Sequence, residues 1–288
     1  MVYLFLMLGS CGIHITNNGF RKGVTEFGFD VETFVNDISF YFKMSAARRQ
    51  DYKLMEMFTL IEAKYTLKHT IVRWLSLKNP VLRILEQWGN VDEYFLKYLP
   101  KQDNFISKIK PSPRYKRIID FLKNPIPKAE LCFIACVAHD FEDFILTMQT
   151  SEPMIHCIYE KISSLIFNLM KKFVSSSAIT VTVDGIAKAK QGSELVSVDV
   201  FKHRKKMENI DNGTRAKEIL SEFSINSESK EAMRKKCMAF YTASTQYLIS
   251  KLPVANQFLK DAQYLHPDKR NDVAALNAIS RLSLEVAT

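Results

Sequence analysis

DVETFVNDISFYFKM, residues 30–44, carries its apolar side chains at Val31, Phe34, Val35, Ile38, Tyr41 and Phe42. Steps of three and four residues gather these side chains into one stripe of a 3.6-residue helix. Asp30 stands immediately ahead of the stripe, where its carboxylate can accept from backbone N–H groups that the first helical turn leaves without partners. The stretch reads as an amphipathic helix. It decides the fold class because the same period returns along most of the chain.

Residues 45–88 read as a helix, a short extended or loop segment around HTIVRW at 69–74, and another helix beginning near Pro80. SPRYKRIIDFLKN at 112–124 offers Ser112 as a cap and Pro113 at the first helical position, with Pro125 and Pro127 ending the helix. Two long helical patterns follow, KAELCFIACVAHDFEDFILTMQ at 128–149 and PMIHCIYEKISSLIFNLMKKFV at 153–174. Further helices are expected over 213–223, 229–252 and 268–286. One stretch breaks the pattern: AITVTVDGIAKAKQGSELVSVDVF at 178–201 alternates apolar and polar residues twice around a Gly-containing polar segment. That is the mark of a short β-hairpin or extended segment. The expected fold class is mainly α with this one β excursion, and no internal repeat or low-complexity tract interrupts it.

The composition agrees, with 47% hydrophobic residues and only 9 Gly and 9 Pro in 288 residues, which excludes disorder as the default. Lys and Arg number 40 against 31 Asp and Glu, so the formal net charge of +9 favours polyanionic partners. The cysteines, Cys11, Cys132, Cys136, Cys157 and Cys237, are odd in number, and three of them fall within apolar helical stretches, as expected in a reducing compartment. The opening MVYLFLMLGSC has an apolar run with no basic residue before it, and is too short to span a bilayer. The chain is expected to be nuclear or cytoplasmic, not secreted, with no membrane partner.

Motifs with chemical potential are sparse. Cys11 and His14 have metal-ligand spacing, but a structural zinc site needs four ligands and the next histidine, His69, has no paired cysteine. Cys132, Cys136 and His139 share one helix face among Phe133, Ile134, Val137 and Phe141, which reads as buried thiols with a histidine at the helix end. His156 and Cys157 are adjacent and are expected to point to different faces of a helix. Asp184 ends an alternating run, the place where nuclease-type folds present a metal-ligating carboxylate, yet Asp184-Gly185 is also a common turn dipeptide, and the turn is the favoured reading. No Gly-rich phosphate loop, HExxH or GxSxG occurs. No metal ligand and no resident cofactor is assigned.

The stretch from Lys108 to Lys128 concentrates positive charge in Lys108, Lys110, Arg114, Lys116, Arg117, Lys123 and Lys128, with Asp120 its main acid and Tyr115 interleaved. Such a stripe can track phosphates, or it can be a solvated helix face. Arg73 and Trp74 are adjacent, and a tryptophan beside an arginine can stack on a base and hold a phosphate, whereas a buried tryptophan is the ordinary alternative.

Taken in order, CGIHITNNGFRKG at 11–23, an apolar helix, KHTIVRWLSL at 68–77 and a long helical region ending in KLPVANQFLKDAQYLHPDKR at 251–270 resemble the middle portion of hAT-type DNA transposases and the genes derived from them. Cys11, His14, Arg73 and Trp74 carry the resemblance most specifically. It implies a remnant of an RNase H-like α/β core over 1–78 and a large α-helical insertion domain over 79–288. It makes Cys11 and His14 a packing and backbone-positioning element rather than half of a zinc site, and gives Trp74 a base-stacking role. The family cleaves DNA with three carboxylates holding two divalent cations. Here no acidic residue precedes Cys11 and the chain closes on ISRLSLEVAT without the family's Ser-Glu-Arg segment, so no catalytic residue is transferred. Mg²⁺ or Mn²⁺ would matter only in a longer product, and an enzyme would need carboxylates such as Asp184 and Asp199 recruited anew. The implied function is a non-catalytic or truncated transposase-derived protein that binds DNA without sequence specificity. The alternative is a helical scaffold for a protein partner or for self-association, with no nucleic-acid role.

Overall fold

The structure, a computed structural model, describes residues 12–28, 30–65, 77–150, 153–223 and 225–287. Helices of eight or more residues are, in chain order, α1 (Gly12–Phe27), α2 (Val31–Lys43), α3 (Ala46–Lys53), α4 (Lys78–Glu86), α5 (Pro113–Leu122), α6 (Pro125–Met148), α7 (Ile155–Phe173), α8 (Thr214–Glu222), α9 (Ser227–Lys251) and α10 (Ala275–Ala287). Among the described residues the only sheet is an antiparallel pair, β1 (Thr180–Val183) and β2 (Ile186–Ala189). The chain is thus mainly α, as the periodicity predicts. No helix of the described residues is long and apolar enough to cross a membrane.

The chain divides into two compact units, one made of Met1–Phe27, Asp140–Asp211 and Arg234–Thr288, the other of Gly28–His139 and Asn212–Met233. In the second, the stripe of α2 is buried as its spacing requires, and the Asp30 carboxylate accepts from Thr33 N–H at 2.8 Å. Its aromatic residues build the core: Phe42 lies 4.7 Å from Tyr52 and 5.3 Å from Tyr94, and Tyr41 lies 4.9 Å from Phe95, measured between ring centres. Offset and edge-on rings at such spacings add to the area that they bury. Behind them Gln87 and Asn90 supply the hydrogen bonds of an irregular strand of chain. Gln87 Nε2 donates to Glu62 O at 2.9 Å, Lys64 N–H donates to Gln87 Oε1 at 2.9 Å, and Asn90 Nδ2 donates to Ile61 O at 3.0 Å.

In the first unit, Phe20 of α1 meets Phe141 at 5.4 Å and Phe240 at 5.8 Å, both edge-on. The approach of α1 to α9 depends on Gly23, where an added Cβ would overlap Ser244 Oγ and lie 2.7 Å from two ring carbons of Phe240. The apolar face of α7, from Ile158 to Phe173, is buried against the short helices Gly192–Leu195 and Gln257–Ala262.

The hairpin corrects part of the sequence reading. Asp184 and Gly185 form its two-residue turn with φ of 49° and 81°, and Val183 faces Ile186 in the register. Positive φ at both turn positions matches the twist of the flanking strands. The second alternating half, however, is no strand: Gly192–Leu195 is a helical turn. Gln191 N–H donates to Glu194 Oε2 at 2.8 Å, and this local bond competes successfully with the alternation of SELVSVDVF. Pro125 likewise begins α6, so the two prolines that end one helix also start the next.

Candidate functional site

The basic stretch is positioned by aromatic packing. Phe105 sits edge-on to Tyr115 at 5.5 Å, which fastens the π-helical turn Phe105–Ile109 to α5 and sets Lys108 and Lys110 beside the start of that helix. Ser112 occupies the N-cap position and Pro113 the first helical one, although the Ser112 side chain makes no capping bond. Tyr115, Ile118, Ile119 and Leu122 form the buried face of α5. Tyr115 is therefore core, its hydroxyl donating to Phe95 O at 3.2 Å, and not an aromatic interleaved among surface cations. Lys116, Asp120 and Lys123 lie on the exposed side.

The cations divide by partner. Asp37 projects from α2 with its side chain only 8% exposed, and both arginines of the stretch converge on it. Arg117 binds it through two nitrogens, Nε to Oδ2 at 2.7 Å and Nη2 to Oδ1 at 2.8 Å, while Arg114 Nε reaches Oδ1 at 3.1 Å. A buried carboxylate without such donors would be strongly unfavourable, so these arginines hold α5 to α2. Lys128 stands 5.4 Å from the Trp88 ring centre. Lys108, Lys110 and Lys116 are exposed, and among the described residues no carboxylate pairs with them.

Arg73, Trp74 and Cys11 lie outside the described residues. His14 is exposed on α1. The Asp184 turn is as expected, and Asp199 is occupied by its own backbone: Lys202 and Phe201 N–H groups donate to Oδ1 at 3.0 and 2.9 Å and hold its carboxyl below the usual range. Neither aspartate belongs to a group of three metal-ligating side chains among the described residues. The α6 thiols differ from expectation. Cys132 is buried and its thiol is pushed up to about 11 by burial, but Cys136 is exposed, and His139 is exposed in the body of the helix rather than at its end.

One cluster escapes the sequence reading. His156, Cys157 and His266, all half-buried and all in the same unit, present one donor atom each within 4.8 Å of one another. Adjacent positions on a helix are 100° apart, not opposed, so His156 and Cys157 at the first turn of α7 can both reach a group set between them. His266, brought in by the chain after Gln257–Ala262, is that group, its ring centre 5.3 Å from that of His156. Comparison with family models, curated proteins and solved structures finds no significant match to this chain.

Proposed function

We propose that the chain is a hAT-transposase-derived protein that binds DNA without sequence specificity through the surface around Lys108, Lys110 and Lys116, with Arg73 and Trp74 as further contacts. The supporting observation is the division of the basic stretch: Arg114 and Arg117 share the one Asp37 carboxylate, with 42% and 53% of their side chains exposed, and the three lysines are exposed without carboxylate partners among the described residues. Cations in that state neutralise phosphates and release condensed counterions, a gain that is indifferent to base sequence. Trp74 would add stacking on an unpaired base, worth about 1–3 kcal/mol per base. Binding of this kind needs no divalent metal, and a nuclear location belongs with it.

A helical scaffold for a protein partner is the second reading, favoured by Leu276 and Ile279, exposed by 80% and 41% along α10. The two are separated by purifying the native chain with and without nuclease treatment and titrating two unrelated duplexes. Co-purifying nucleic acid and equal affinity for both duplexes support the DNA reading. A stable protein complex of fixed stoichiometry that ignores nuclease, with no duplex binding, replaces it with the scaffold.

A further inference from the structure

We propose that His156, Cys157 and His266 form a site for a thiophilic divalent transition-metal ion, Zn²⁺ by its chemistry, with a fourth position open to water or a ligand. Two imidazoles and one thiolate are a donor set that a tetrahedral, borderline-soft ion favours, and three protein ligands with one open position is the arrangement of zinc sites that engage a further ligand. Tetrahedral zinc with bonds of about 2.0–2.3 Å places its ligand atoms roughly 3.3–3.8 Å apart. The donors here lie within 4.8 Å of one another. Rotation of the three side chains about their own bonds would have to close that difference.

The surroundings agree. Cys157 is a free thiol, and none of the three side chains is fully exposed or fully buried, so an ion can enter and keep one solvent-facing position. His266 Nδ1 accepts from Asp268 N–H at 3.3 Å and lies 3.7 Å from Asp268 Oδ2. Nε2 is thus the atom left for a metal. An ion on Nε2 puts the ring proton on Nδ1, so the bond accepted from Asp268 N–H is given up and Nδ1–H turns to the Asp268 carboxylate 3.7 Å away, the outer partner that a metal-bound imidazole commonly has. Glu160, one helical turn after His156, is bound to Lys269 Nζ at 2.7 Å and is pulled below its usual range by that lysine, so it does not compete for the ion. The site would join the start of α7 to the segment carrying His266 within one unit.

The test is titration of the full chain with Co²⁺, read by absorption, followed by displacement with Zn²⁺ against a chromophoric chelator. The expected result is one ion per chain with the visible bands of tetrahedral cobalt and a thiolate charge-transfer band. Cys157→Ser should abolish the charge-transfer band and weaken binding at least 100-fold, and His266→Gln should weaken it comparably. Asp268→Asn, whose carboxylate is exposed, should weaken it about tenfold. Cys136→Ser should change nothing. Circular dichroism of each metal-free variant establishes that it folds, and Cys157→Ser and His266→Gln each decide the matter separately. Absence of stoichiometric binding, a spectrum without the thiolate band, or binding that survives either variant overturns the proposal. None of these readouts involves DNA.

Discussion

Replacing Lys108, Lys110 and Lys116 together by glutamine perturbs DNA binding by an amount that the structure sets. Each phosphate neutralised on duplex DNA contributes about −0.9 to the slope of log affinity against log salt. Three unpartnered lysines therefore account for a slope of roughly 2.7, and between about 50 and 200 mM salt the variant should lose roughly 40-fold less affinity than the parent chain. The arginines behave otherwise. Arg114 and Arg117 share Asp37, so the three groups together carry a net charge of +1, and replacing both arginines leaves −1; the loss of two charges should lower the slope by no more than about 1.8. That second variant should instead melt at a lower temperature, because it strands the Asp37 carboxylate, 8% exposed, without its donors. Fluorescence anisotropy over a salt series gives both slopes, and circular dichroism gives both melts. A lysine variant with the parent slope, or an arginine variant that loses more slope than the lysine variant, refutes the division of the stretch into structural and DNA-facing cations.

Three further outcomes follow from the packing. Gly23→Ala gains helix propensity but forces a Cβ to 2.7 Å from Phe240, and the overpacking should leave a net loss of about 1–2 kcal/mol in chemical denaturation, whereas Gly12→Ala, with nothing within 4 Å, should lose none. Gly185→Ala strains a residue at φ 81° in open space, so amide exchange in the hairpin should quicken while the global melt stays put. Asp261, buried beside Arg281 at 2.6 Å with Gln257 also donating, has its carboxyl held below the usual range mainly by the Arg281 hydrogen bonds. Its folded pKa is thus depressed, so its contribution is present above the unfolded value of about 3.9 and is lost as pH falls through the folded one. Asp261→Asn should be less stable than the parent at neutral pH, with the gap closing only below about pH 4; a gap that persists in strong acid would contradict this.

The helices were legible because their apolar stripes obey the period without competition, and α2 adds its Asp30 cap. The Asp184-Gly185 turn was legible because positive φ at two successive positions is demanding and those residues meet it. SELVSVDVF forms no strand because alternation says nothing about local bonds: Glu194 bonds Gln191 N–H, the Ser197 and Val198 N–H groups turn back to Glu194 O and Leu195 O, and Asp199 Oδ1 accepts from Phe201 and Lys202 N–H. In the basic stretch, the spacing of Tyr115, Ile118, Ile119 and Leu122 already places the tyrosine on the buried face. The claim of Asp37 on Arg114 and Arg117 spans 77 and 80 residues and leaves no local trace. His266 is hidden for the same reason: it meets His156 and Cys157 only after α7 and the later segments have folded. Periodicity reports what a segment does with its own neighbours, and both candidate sites depend on distant ones.

The DNA reading is tested most directly by equilibrium binding of the unaltered full chain to two unrelated duplexes over a salt series. The same affinity for both duplexes and a linear fall of log affinity with log salt, with a slope of about −2.7 or steeper, are expected. No binding at low salt, or a curve that stays flat as salt rises, would contradict it.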